Sequence, residues 1–266
     1  MKYKKTAFSI VLASLLVVAC MHVSGTNRKI DPNSPTFGNL NGVPMAVPAK
    51  YQFFPIEYEG DDIWNAEWLK KNRNRVPTPD MKIRTFSLLL HLPDYAPFNS
   101  ENGASWRHQK NRYGFNQDWI TVGITWNNNR GKIHEKGWFK HYIDDIRESN
   151  VKFSSATSHY EIAQNIYGLH HEVMVGASSN DRQFSWQSMH KDFYADIQGQ
   201  SAKIECEQMV VPPYVPTTCE QTFIIPELDS FVDIKYNPQH LKDWRQMQKQ
   251  VTSIVKTFEI IKSKTE

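Results

Sequence analysis

The stretch that decides the fold is 231–258, FVDIKYNPQHLKDWRQMQKQVTSIVKTF. Residues 231–236 read as a last strand. Asn237 can cap a helix, and Pro238 suits its first position, where the missing N–H is no loss. Leu241, Trp244, Gln248, Val251, Val255 and Phe258 then recur at helical spacing, a stripe that Met247 and Ile254 widen. A helix of about 20 residues that follows a strand directly lies across one face of an antiparallel sheet. The predicted class is therefore α+β: an antiparallel sheet with a long C-terminal helix packed on one face.

Upstream, the strands of that sheet declare themselves by alternation. Phe86, Leu88, Leu90 and Leu92 share one face, and so do Ile120, Val122, Ile124 and Trp126 before the Asn127-Asn128-Asn129-Arg130-Gly131 turn. Leu169, His171, Val173 and Val175 restart a period of two. Segments 193–198 and 202–207 flank Gly199 as a hairpin, and 222–225 is a further strand. Trp138, Tyr142 and Ile146, with Phe139 and Ile143 beside them, predict a short amphipathic helix over 136–148. Residues 155–167 are ambiguous, and 94–118 read as a long loop.

The start of the chain has a different character. Lys2, Lys4 and Lys5 precede an apolar run from Ala7 to Val18, the layout of a secretory signal segment and too short for a bilayer, which needs about 20 apolar residues. Leu16 to Cys20 resembles the lipobox of bacterial lipoproteins, in which the cysteine is acylated and becomes the first mature residue. That resemblance implies Cys20 as the lipidation site and a membrane anchored through acyl chains. Met21 is not the Asp that retains such lipoproteins at the inner membrane, so it implies an outer-membrane location facing the periplasm. The competing readings are an ordinary cleaved signal with a chance cysteine and an unusually short membrane anchor.

Residues 21–42 are rich in Gly, Ser, Asn and Pro with few large apolar side chains, and read as a flexible tether. The expected organisation is a signal segment over 1–20, a tether over 21–42 and a single α+β domain over 43–262. Removing the three signal lysines takes the 31 basic residues to 28, equal to the 28 acidic ones. A neutral mature chain argues against nucleic acid as a partner. With Cys20 set aside, Cys206 and Cys219 remain, and in an oxidising compartment they read as a disulfide closing a loop of about 14 residues. A metal site is the weaker alternative, since there is no C-x-x-C and no second pair.

No catalytic constellation is visible. Gly103-Ala104-Ser105-Trp106-Arg107 lacks the second glycine of a nucleophile elbow, and His134-Glu135 and His171-Glu172 lack the second histidine of a zinc-protease helix. The expectation is no catalytic residue, no metal and no cofactor. His170 and His171 point to opposite strand faces and read as one packed and one exposed histidine. Two loops mix charge with aromatic residues: 57–68, with Asp61, Asp62, Trp64 and Trp68, and 103–115, with Trp106 and Arg112. Each reads either as an ordinary surface loop or as a partner-binding one.

Gly42-Val43-Pro44, Glu57-Tyr58-Glu59-Gly60-Asp61, Lys82-Ile83-Arg84-Thr85-Phe86-Ser87-Leu88, the two late cysteines and Leu241-Lys242-Asp243-Trp244-Arg245 together resemble the lipoproteins that act as immunity proteins against lipase effectors of the type VI secretion system. The resemblance spans about 42–260, and the His- and Trp-rich middle departs from it. It implies a non-enzymatic protein that binds a secreted phospholipase effector and blocks it, with Asp61, Asp62, Trp64, Trp68, Trp106 and Arg112 as candidate contacts. The alternative is a general envelope lipoprotein, a scaffold or small-ligand carrier, for which a large apolar pocket under the terminal helix is the expected sign.

Overall fold

The computed structural model describes residues 31, 33–72, 74–99, 102, 103, 106, 118–126, 159–175, 190–196, 202–208 and 216–261. Cys20 and its signal segment, Arg112 and the helix expected over 136–148 lie outside them. In chain order the strands are β1 Pro35–Leu40, β2 Val43–Pro48, β3 Gln52–Tyr58, β4 Ile83–His91, β5 Ala96–Pro97, β6 Trp119–Trp126, β7 His159–Ile162, β8 Leu169–Val175, β9 His190–Asp196, β10 Lys203–Gln208, β11 Pro216–Ile225 and β12 Ser230–Tyr236. A short helix α1, Ala66–Asn72, separates β3 from β4, and helix α2, Trp244–Lys256, follows β12.

Ten of the strands form one antiparallel sheet in the order β3-β4-β6-β12-β11-β10-β9-β8-β7, with β5 paired to β4. Its register aligns the alternating apolar residues. Phe86, Leu88 and Leu90 lie opposite Ile124, Val122 and Ile120, and Val232 and Ile234 lie opposite Ile124 and Val122 from the other side. These side chains are at most 2% exposed. Since successive strand residues point to opposite faces, that register places one continuous apolar face under the helix.

The helix covers that face much as its stripe predicts. Leu241, Trp244, Met247, Val251, Val255 and Phe258 are all buried. Gln248 is half-buried and not part of the seam, whose place beside Trp244 is taken by Met247. The α-helical part is shorter than expected, because Pro238–Asp243 winds as a 3-10 helix whose first turn is closed by the Asn237 side chain accepting from the Gln239 N–H. Gln221, fully buried on β11, donates to the Trp244 carbonyl at 3.3 Å and so ties helix to sheet. Cys206 and Cys219 face each other across β10 and β11 and are joined by a disulfide.

The folded domain begins earlier than 43, which corrects the expected tether. Residues 35–40 are β1, and Asn41-Gly42 forms the two-residue turn into β2 with φ of 50° and 92°. Those positive φ values are the ones a type I′ hairpin turn requires and Asn-Gly tolerates. Leu40, Met45 and Val47 are fully buried. Gly38 sits so close to β4 that a Cβ there would lie 2.5 Å from Ile83 Cγ1. Backbone bonds then fasten β2 to the chain leaving α2, with the Ala46 N–H donating to Phe258 O and the Ile260 N–H to Pro44 O. No described helix is long and apolar enough to cross a membrane.

Candidate functional site

Between β3 and β4 the chain leaves the sheet as an arm, and the base of that arm is braced. Tyr58, 3% exposed at the end of β3, donates its phenol O–H to the Phe37 carbonyl at 2.6 Å. Its backbone N–H donates to the Asp61 carboxylate at 2.9 Å. That carboxylate also receives both ends of the Arg75 guanidinium, each at 2.7 Å. The guanidinium lies over the rings of Tyr58 and Trp68, 5.0 and 5.2 Å from their centres. A planar fork with five donors fits this double task of pairing a carboxylate and stacking on rings. Burial pushes the Tyr58 phenol up to about 12, against a smaller downward pull from Arg75, so it stays protonated and able to donate. Further out, Glu57 pairs with Arg84, and Glu59 with Lys82.

The brace matters because it sets how the rest of the arm is presented. Asn65 accepts from the N–H groups of Glu67 and Trp68 and thereby caps α1, and Asn72 donates back to the Trp68 carbonyl. No residue of α1 is buried. Trp64 is 92% exposed and Val76 78%, with Ile63 and Leu69 exposed on the same arm. An apolar surface on a loop whose two ends are clamped is pre-ordered for contact, and a large ring with few rotatable bonds loses little entropy on docking.

The six candidate contact residues therefore separate. Asp62 and Trp64 are exposed, and Trp68 is half-buried beside Arg75. Asp61 is 7% exposed and works as the strut of the arm, which corrects its expected role as a contact. Trp106 is half-buried and stands edge-on to both Phe53 and Trp119, part of an aromatic cluster that Phe98 and His91 extend around Trp119. Its side chain packs on the domain instead of standing free. Val76, Ile63 and Leu69 were not singled out from the sequence. The signal available was their apolar character within a stretch of charges, where a solvated loop needs none.

The paired histidines are both largely covered, which corrects the expectation that one is exposed. His170 Nε2 lies 3.1 Å from Glu172, and His171 stacks on Tyr194 at 4.3 Å with Asp192 3.7 Å from its Nε2. Among the described residues no group of three His, Cys, Asp or Glu side chains is placed to hold a metal. At the start of the terminal helix lies a cleft of about 460 Å³, lined by Leu92, Pro93, Tyr95, Asp118, Gln239, His240, Lys242, Asp243, Gln246 and Met247.

No protein-family model matches the chain, and neither does any curated protein sequence. Two solved structures do resemble it. FrpD, an iron-regulated outer membrane lipoprotein of Neisseria meningitidis, is 12% identical with a TM-score of 0.45, over 86% of this chain and 96% of its own. Smlt3025, an immunity protein of the Stenotrophomonas maltophilia type IV secretion system, is 16% identical with a TM-score of 0.50, over 90% of this chain and all of its own. At that identity the likeness concerns the fold: this chain is similar in fold, over nearly its whole length, to a solved secretion-system immunity protein.

Proposed function

We propose that this protein is a lipid-anchored envelope immunity protein that binds a secreted lipase effector and blocks it by occupation. The observation that carries the reading is the braced arm, which presents Trp64 at 92% exposure on an ordered support. Blocking an enzyme by binding needs a specific interface, about 1,200–2,000 Å² in total with a few aromatic or Arg anchors at its centre. Trp64, Ile63, Leu69 and Val76 supply apolar anchors, and Asp62, Lys70 and Lys71 a polar rim. The fold likeness to Smlt3025 supports an immunity role and leaves the type of secretion system to experiment. Attachment through Cys20 would hold the protein at the membrane that a lipase attacks.

The carrier alternative expected a large apolar pocket under the terminal helix. The cleft found there is lined by Asp118, His240, Lys242 and Asp243 beside its apolar residues, which suits a charged ligand better than a lipid.

The test expresses the full chain in the envelope of cells that receive candidate phospholipase effectors of type IV or type VI systems. Survival of the cells, with a one-to-one complex recovered and the lipase silent within it, is the expected result. Growth arrest by every candidate effector, with none of them bound by the protein, would overturn the proposal. Replacing Trp64 by alanine should weaken the complex by about 30-fold or more, the range of a central aromatic anchor.

A further inference from the structure

The cleft at the start of the terminal helix lies apart from the arm, and the core residues Leu92, Tyr95 and Met247 form part of its wall. We propose that it binds a guanidinium or alkylammonium group carried on an aliphatic stem. Its volume of about 460 Å³ lies within the range of small-ligand pockets, about 300–1,000 Å³. Leu92 and Met247, 5% and 0% exposed, form an apolar wall fit for methylene groups.

Two carboxylates face the same space. Asp118 is half-buried and, among the described residues, its side chain has no hydrogen-bond or ion-pair partner. Asp243 has His240 Nδ1 at 3.9 Å, too long for a hydrogen bond. A cation entering the cleft would gain charge-assisted contacts to both carboxylates. The two carboxylates outnumber Lys242, the one lysine of the described lining, so with His240 neutral the cleft keeps an acidic balance.

The second observation is Tyr95. It is 8% exposed, lines the cleft, and among the described residues its phenol has no hydrogen-bond partner. Its oxygen lies near enough to Asp243 to feel that charge, and burial above all pushes it up to about 12. The phenol is thus protonated, with lone pairs free to accept from an N–H group. Tyr95 also holds a φ of 57°, an uncommon conformation for a bulky residue. Buried phenol, carboxylates and apolar wall together describe a site for a cationic head and an alkyl stem, supplied by a free amine or by an arginine side chain of a bound protein.

Titration calorimetry on the full chain tests this with two probes, agmatine for a free amine and acetyl-Gly-Arg-Gly-amide for a peptide-borne arginine. Saturable binding of either is expected, with glutarate, an anion of similar length, not binding. Tighter binding of agmatine identifies the free amine as the source, and tighter binding of the peptide identifies a protein side chain. Asp118→Asn should weaken the better probe by about tenfold, as loss of a charge-assisted contact does. Tyr95→Phe, which keeps the packing, should weaken it by about threefold or more. The proposal is overturned if neither probe binds saturably, if glutarate binds equally well, or if both variants, folded by circular dichroism, bind as the wild type does.

Discussion

Trp244 and Trp64 are the same side chain put to opposite uses. Trp244 is 2% exposed, donates its indole N–H to the Tyr167 carbonyl at 3.1 Å and carries the Arg245 guanidinium over its ring, while Trp64 is 92% exposed. The region around Trp244 is sealed: sheet, helix and β1-β2 hairpin share one apolar core. The arm around Trp64 contributes to that core only at its two ends, Tyr58 and Met81. Burial of apolar area stabilises a fold by roughly 25 cal/mol per Å², so the arm forgoes that gain wherever it stays exposed. A surface that forgoes stability and yet is clamped at both ends is organised for something other than folding.

The sharpest way to break the comparison is to titrate the sealed region. Tyr58 and Tyr95 are pushed up from 10.0 to about 12 by burial, and Tyr194 and Tyr236 are pushed up further, again mainly by burial. For a group whose folded value is raised, the stabilisation is complete below the unfolded value and is lost as pH climbs through the folded one. Stability should thus hold to about pH 10 and fall steeply toward about pH 12, with tyrosinate absorbance and loss of near-ultraviolet dichroism appearing in one transition. Free titration of all the tyrosines near pH 10 with the fold intact would show that the core is not sealed.

Next in size, Trp244→Ala should cost about 4 kcal/mol, as large aromatic truncations in a core do, read from chemical denaturation. Leu40→Ala should follow at about 3 kcal/mol, because its side chain is fully buried although it lies in the segment that reads as a tether. A neutral outcome there would detach the hairpin from the core. Asp61→Ala should cost about 2 kcal/mol, less than a fully buried pair because Arg75 is 30% exposed. It should also speed proteolysis within 62–74, the direct readout of a loosened arm. The smallest effect on stability belongs to Trp64→Ala, within about 0.5 kcal/mol. A larger loss would mean that Trp64 packs on the domain and is not held out for a partner.

The sheet and helix were legible because their periodicities are long and their faces one-sided. Phe86 to Leu90, Ile120 to Ile124 and Leu241 to Phe258 each repeat at the spacing of the element they form. The hairpin at the front was missed for a reason also written in the chain. Asn41-Gly42 between Leu40 and Val43 is a strong short-range turn signal, but it sits at the end of a Gly-, Ser- and Asn-rich stretch whose average composition masks it. At the arm, acidic and aromatic residues were rightly noticed, but Asp61 and Asp62 are adjacent in sequence and opposite in role. Only the return of the chain to Arg75 separates them, by pairing one and leaving the other in water.

By itself the sequence determined the strongly periodic local choices: that β4, β6 and β12 are strands, where the last helix runs and which side of each is apolar. These follow from side-chain spacing within a dozen residues. Tertiary structure alone decided which aromatic ring is core and which stands exposed, which carboxylate is a strut, and that Tyr95, Asp118 and Asp243 share a cleft. Those outcomes depend on contacts between residues far apart in the chain, and a side chain's environment is set by what folds against it, not by what precedes it.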